Sequence, residues 1–230
     1  MAIALFVLTT VVTIGGVWQF KRWSHQAASD FKPSLAEPIT MPAVPTCFPG
    51  RSTEISRIPS KDKYFPQDVP PFFVEWFSKH LRAMNEPSLL SSTDSLDEVY
   101  RFLWLRSFHP PVAVRVWRTG EEYFLNAIEL NGAGGYEPGK ELARKARPLT
   151  SEEWVTFMRP LEESCFWNLP RRDPDNRGND GAEWIVEGLR QGRYQVTDVW
   201  SPSSGAYRDA CIYLLKISGL GIDEKSKDLY

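Results

Sequence analysis

The first twenty residues, MAIALFVLTTVVTIGGVWQF, carry no charged side chain, and Lys21 and Arg22 follow at once. A helix needs roughly 20 mostly apolar residues to cross the hydrocarbon core of a bilayer. The pattern therefore predicts a transmembrane anchor over residues 1–20. A cleavable signal, cut after Ala27-Ala28-Ser29, and a buried core helix are the competing readings. From Pro70 the periodicity becomes that of a folded domain. Phe73, Phe77, Leu81 and Met84 recur at helical spacing, with Trp76 beside them. Asp97 to Phe108 then alternates, with Tyr100, Phe102, Trp104 and Phe108 on one side and Val99, Leu103 and Leu105 on the other. Val112 to Thr119 and Glu122 to Leu130 follow, joined at Gly120, as an antiparallel hairpin would require.

Thr150-Ser151-Glu152-Glu153 is a capping-box pattern opening a helix that buries Trp154, Phe157, Met158 and Leu161. Two further strands, Glu183 to Arg190 and Arg193 to Trp200, meet at the two-residue turn Gln191-Gly192. Ser203 or Ser204 is placed to cap a last helix with Tyr207, Cys211, Leu214 and Leu215 inward, and Gly219 to end it. Nothing in this order requires a parallel sheet. The economical fold is α+β, an antiparallel sheet with helices packed on one face. The organisation expected is an anchor over 1–20, a proline-rich tether over 21–69, a single α+β domain over 70–221 and a polar, frayed tail over 222–230.

Composition narrows the possible partners. A net charge of −2 across 230 residues offers no basic stripe, which argues against nucleic acid. Lys21, Arg22 and Lys32 follow the apolar run and no Lys or Arg precedes it, so the positive-inside rule puts the domain in the cytoplasm. The alternative is a periplasmic or secreted domain after cleavage. Cys47, Cys165 and Cys211 would be reduced thiols in the cytoplasm; in an oxidising compartment one disulfide, Cys165–Cys211, becomes worth seeking.

Several segments test for chemistry and fail. Asn131 to Gly139 is glycine-rich but lacks the Lys-Ser/Thr of a phosphate loop, and reads as a flexible strand connection. Asp173, Asp175, Asn179 and Asp180 offer oxygen ligands, but Arg177 stands where a calcium loop needs another. His80 and His109 share no metal-ligand spacing, and a surface or capping role fits them. A nucleophilic Cys165 has no sequence signature to support it. No cofactor and no metal is implied.

The C-terminal hairpin is the most unusual segment. Glu187 and Asp198 stand among apolar neighbours, and a buried carboxylate needs a partner, for which Arg115, Arg190, Arg193 or Arg208 are candidates. With Trp184 and Trp200 these residues (Arg115, Glu187, Arg193, Asp198 and Arg208) form the candidate binding set. Asp180-Gly181, Trp184, Glu187, Tyr194 and Trp200-Ser201-Pro202 resemble the DG-x-x-W-x-x-E…Y…W-S-P pattern of an uncharacterised bacterial protein family. The likeness covers some forty residues. It implies a shared domain and no activity.

With aromatic residues at 13%, nine of them Trp, the chain suits recognition, since Trp, Tyr and Arg dominate contact energetics. The functional expectation is a membrane-anchored binding or interaction module. Its partners are the bilayer, through residues 1–20, and an unknown protein or small ligand. The alternative is a hydrolase-like envelope enzyme using Glu187 or Asp198.

Overall fold

The computed structural model describes residue 47, residues 63–91, 98–172, 178, 180–223 and 229–230. The expected anchor, most of the tether and nearly all of the acidic loop lie outside these residues. Among the described residues no helix is long and apolar enough to cross a membrane.

The elements are α1 (Pro71–Ala83), β1 (Glu98–Arg106), β2 (Val112–Thr119), β3 (Glu122–Leu130), β4 (Glu141–Leu149), α2 (Ser151–Glu163), a 3₁₀ turn (Phe166–Asn168), β5 (Ala182–Arg190), β6 (Arg193–Trp200) and α3 (Ala206–Ile217). The strands form one antiparallel sheet ordered β4-β3-β2-β1-β5-β6. A four-strand meander, β1 to β4, and the β5–β6 hairpin meet where β1 pairs with β5, from Glu98↔Arg190 to Arg106↔Ala182. Each end of this order reflects its sequence. β4 reads ELARKARPL and is mostly solvent-exposed, with charges that blunt an open edge. The outer edge of β6 is instead covered, since Asp198 N–H donates to Arg171 O at 2.9 Å and Arg172 bridges to Asp198.

The helices occupy both faces of the sheet, not one. Tyr100, Phe102, Trp104, Val114, Val116, Leu125, Trp184 and Val186 point to the face covered by α2 and α3. Val99, Leu103, Leu105, Ala113, Ile128, Ile185 and Val196 point to the other, covered by Phe77 and Leu81 of α1 and by Met84 just after it. The physical reason is already in β1, which is buried at all nine positions. A strand apolar on both sides needs a cover on each.

Local signals operate as their chemistry dictates. Thr150 and Glu153 complete both halves of the capping box, at 3.1 and 2.9 Å. Gln191 and Gly192 both take positive φ, 51° and 77°, as a tight two-residue hairpin demands. α3 departs from expectation: its N-cap is Gly205, and no side chain caps it. The core also reaches beyond residues 70–221. Tyr64, Phe65 and Val69 are buried under α1, and Leu229, expected to fray, is buried in the core of the opposite face. Trp184 Nε1–H donates to Tyr230 O at 3.2 Å, and the Tyr230 hydroxyl lies 2.9 Å from His109 Nδ1.

The glycine-rich connection between β3 and β4 is pressed tight against the sheet. Gly134 N–H donates to His109 O and Gly135 N–H to Ser107 O. A Cβ on Gly134 would come within 2.6 Å of the Arg106 backbone, so the approach requires glycine. The cysteines also differ from expectation: the bond is Cys47–Cys165, and Cys211 is a buried free thiol. Cys211 faces the core from α3, out of reach of such a bond, while Cys165 stands just after α2.

Candidate functional site

The two carboxylates marked out on the hairpin lie on one face of the sheet, with Glu187 opposite Val196 and Ile185 opposite Asp198. Their surroundings differ. Glu187 sits mid-sheet and is fully buried. Its partner is Arg101, a β1 residue directly across the ladder, and none of the four arginines expected. Arg101 donates from Nε at 2.9 Å and from Nη2 at 2.5 Å to Glu187 Oε2, while the Tyr194 hydroxyl donates to Oε1 at 2.8 Å. Arg101 reaches on to Glu86 Oε2 at 3.3 Å and to Pro87 O at 2.6 Å. Arg115 does pair with a carboxylate, but with Glu86 at 2.8 Å, and Asn126 donates to the other Glu86 oxygen at 2.9 Å.

Both carboxyls feel strong opposing influences. Burial raises Glu187 above its ordinary range, and Arg101 and Tyr194 pull it only partly back. Burial acts the same way on Glu86, but Arg101, Arg115 and Asn126 overcome it and hold that carboxyl low. A raised carboxyl in a cleft would suggest a general acid. Glu187 has no such access, because its side chain is fully buried. The network ties the segment before β1 to the middle of the sheet.

Asp198 lies at the other end of its strand. Arg172 reaches it at 3.8 Å and donates to Glu183 Oε1 at 3.3 Å. The Arg172 guanidinium also lies 3.5 Å over the ring of Phe73. Phe73, Arg172 and Glu183 of this cluster line an open cleft of about 300 Å³ with Phe72, Trp76, Tyr136, Trp200, Ser107 and Asp180, while Asp198 lines a separate hollow of about 40 Å³ behind Phe73. A further hollow of about 280 Å³ continues the cleft along α1, sharing Phe72, Trp76 and Gly135 and adding Glu75 and Lys79. Phe72 and Tyr136 remain 69% and 59% exposed, large rings left open to solvent at the cleft.

The fold makes this cleft by bringing four distant segments together. The first two turns of α1 supply Phe72, Phe73 and Trp76. The glycine-rich connection supplies Gly135 and Tyr136, and is held to α1 by Trp76 Nε1–H donating to Gly134 O at 2.7 Å. The start of β5 and the end of β6 supply Glu183 and Trp200. Asp180 and Arg172 close the rim.

Of the residues expected to form a site, Trp200 lines the cleft, Asp198 lines the smaller hollow beside it, and the others reach neither. Trp184 is buried in the core. Arg193 donates to Trp167 O at 2.6 Å, and Arg208 to Leu229 O at 3.4 Å, so both serve packing. His80 is not at the surface. It is fully buried on α1, and burial together with the Lys79 charge lowers its pKa to about 4. Sequence reasoning missed Phe72, Tyr136 and Arg172. The available signal was that Phe72 falls outside the stripe of Phe73, Phe77 and Leu81. Among the described residues, no three His, Cys, Asp or Glu side chains gather as a metal would need.

Fold and site together define a three-layer α+β domain with an aromatic cleft at one end of its sheet. No family model, no curated protein and no solved structure matches the chain. The DG-x-x-W-x-x-E…Y…W-S-P residues therefore stand on their mutual contacts here. Gly181 lies against Trp200, Glu187 accepts from Tyr194, and Ser201 Oγ accepts from Ala182 N at 2.9 Å.

Proposed function

We propose that this protein is a binding module, held at a membrane by residues 1–20, whose ligand face is the cleft of Phe72, Trp76, Tyr136 and Trp200. One observation carries the reading: large aromatic rings are left exposed around a hollow while the nearby buried carboxylates are already paired to arginine. Such a surface binds by covering its rings, and Asp198 and Glu183 are already committed to Arg172. The hydrolase alternative, using Glu187 or Asp198, has less support, since Glu187 is fully buried and Asp198 is paired with Arg172.

The module belongs on the oxidising side of its membrane. Lys21 and Arg22 favour the opposite orientation, but a bond between Cys47 and Cys165 persists only where thiols are not kept reduced. A covalent cross-link outweighs a bias of two adjacent charges. Cleavage after the apolar run would reach the same compartment.

Hydrogen exchange of the full chain, with and without a cell-envelope fraction, tests the ligand face. Protection concentrated in residues 71–77 and 132–138, and lost in a Phe72→Ala/Tyr136→Ala variant, is the expected result. Protection elsewhere, or none, overturns the assignment.

A further inference from the structure

We infer that the Cys47–Cys165 bond is a latch that a dithiol opens while the domain stays folded, moving the point where the preceding chain joins the domain from one face of the sheet to the other. The inference goes beyond the ligand face proposed above and does not depend on it.

The two fastenings lie on opposite faces. Cys165 stands between the end of α2 and Phe166, which is buried in the core under α2 and α3. Tyr64 and Phe65 are buried in the core under α1. With the bond closed, the chain before Cys47 is fastened beside the end of α2. With it open, the first fastening is at Lys63 and Tyr64, and residues 48–62 are added to the chain leading to the domain. That addition is worth up to about 50 Å of reach.

Neither fastening depends on the bond for its place. Ser88 Oγ donates to Lys63 O at 2.5 Å, and the Tyr64 hydroxyl donates to Glu86 O at 2.9 Å. After Cys165, Arg193 Nη2 donates to Trp167 O at 2.6 Å and Gln195 Nε2 to Leu169 O at 2.8 Å. In the folded protein the bond therefore closes only a short ring through residues 48–62. Both cysteines are half-buried, within reach of an attacking thiolate, whereas Cys211 is fully buried. A disulfide that solvent reaches is the kind that exchanges.

The chemistry is thiol–disulfide exchange. A thiolate of the dithiol attacks one sulfur, the Cys47–Cys165 bond breaks, and a mixed disulfide forms. The second thiol of the reductant then resolves the mixed disulfide. The reductant leaves as a disulfide, and two electrons and two protons have passed to Cys47 and Cys165, which become thiols.

The full chain in detergent, treated with dithiothreitol, tests this. A donor dye at Ala43 and an acceptor at Val155, an exposed position on α2, both introduced through non-canonical amino acids, report where the chain is fastened. Reduction should lower energy transfer about twofold, and Cys47→Ser should reproduce the drop without reductant. Once the reductant is removed, a maleimide should label Cys47 and Cys165 and spare Cys211, whose thiol burial pushes up and shields. The same sample thus reports that the domain is folded. Labelling of Cys211 together with the other two shows that the bond holds the fold, and overturns the inference. So does energy transfer that reduction leaves unchanged, or a bond that dithiothreitol opens only in denaturant. Reaction of all three cysteines in denaturant before any reductant removes the bond itself, and with it the placement on the oxidising side, while the aromatic cleft stands as proposed.

Discussion

The two faces of the sheet solve different problems. Under α2 and α3 the interface is hydrophobic and aromatic: Tyr100, Trp154, Phe157 and Phe166 pack ring against ring, with centroids 5.6–6.2 Å from Tyr100. Under α1 the sheet is covered by a single helix and the segment around Tyr64 and Glu86, and there the protein buries two carboxylates and one guanidinium, with the half-buried Arg115 as a second cation. An apolar interface tolerates approximate packing, while a buried ionic network demands that every partner be present. The face that carries the cleft is thus also the face whose geometry is most narrowly specified.

The sharpest way to break this contrast is Arg101→Met. It strands Glu187 without a counter-charge and should cost about 3–5 kcal/mol of stability in denaturant unfolding. Adding Glu187→Leu should recover more than half of that, because Glu86 keeps Arg115 and Asn126. Phe157→Ala on the other face should cost a similar amount. No second substitution at a partner should rescue it, since nothing there is left charged. Equal behaviour of the two faces in these double variants would remove the distinction.

Acid should find the same face. His80 is neutral when folded, with a pKa near 4 against 6.5 unfolded. Above pH 6.5 neither state is protonated and the full stability is present. As pH falls below 6.5 the unfolded chain takes up a proton that the folded chain refuses until about pH 4. The loss across that window should approach 3 kcal/mol. In His80→Leu this component of the pH dependence should vanish, as read from unfolding midpoints between pH 4 and 8. An unchanged slope would show that other groups govern it.

The smallest effect is assigned to the apolar face. Thr150→Ala removes one half of the capping box and should cost about 1 kcal/mol. Glu153 stays in place through Arg147 at 2.7 Å, so α2 should shorten without detaching. Circular dichroism and thermal unfolding together would show this.

What was legible beforehand was what depends on neighbours in the chain. The alternation of β1, the Thr150–Glu153 box and the Gln191-Gly192 turn each act over a few residues, and each formed as its chemistry requires. What was not legible depends on which distant segments meet. Arg101 lies within a run of strand residues, VYRFLWLR, and nothing local links it to Glu187, 86 positions away. The Cys47–Cys165 bond spans 118 positions, and three cysteines allow three pairings. Phe72 and Tyr136 lie on segments brought together by the glycine-rich connection. The two-sided helix cover, by contrast, was legible in β1 itself, whose apolar residues alternate onto both faces, and the expectation of helices on one face overlooked it.

The disulfide also has a mechanical meaning. A pull applied to the chain before Cys47 enters the domain at Cys165 through sulfur, and the residues between them carry none of it. Those residues include α1, the four strands β1–β4 and α2. Extended fully, they would add about 400 Å to the chain. With the cross-link intact that length is held in reserve, outside the path of the load. The aromatic cleft draws its α1 and glycine-rich walls from this shielded stretch, so tension on the chain before Cys47 could lengthen the molecule only by working on the segment C-terminal to Cys165.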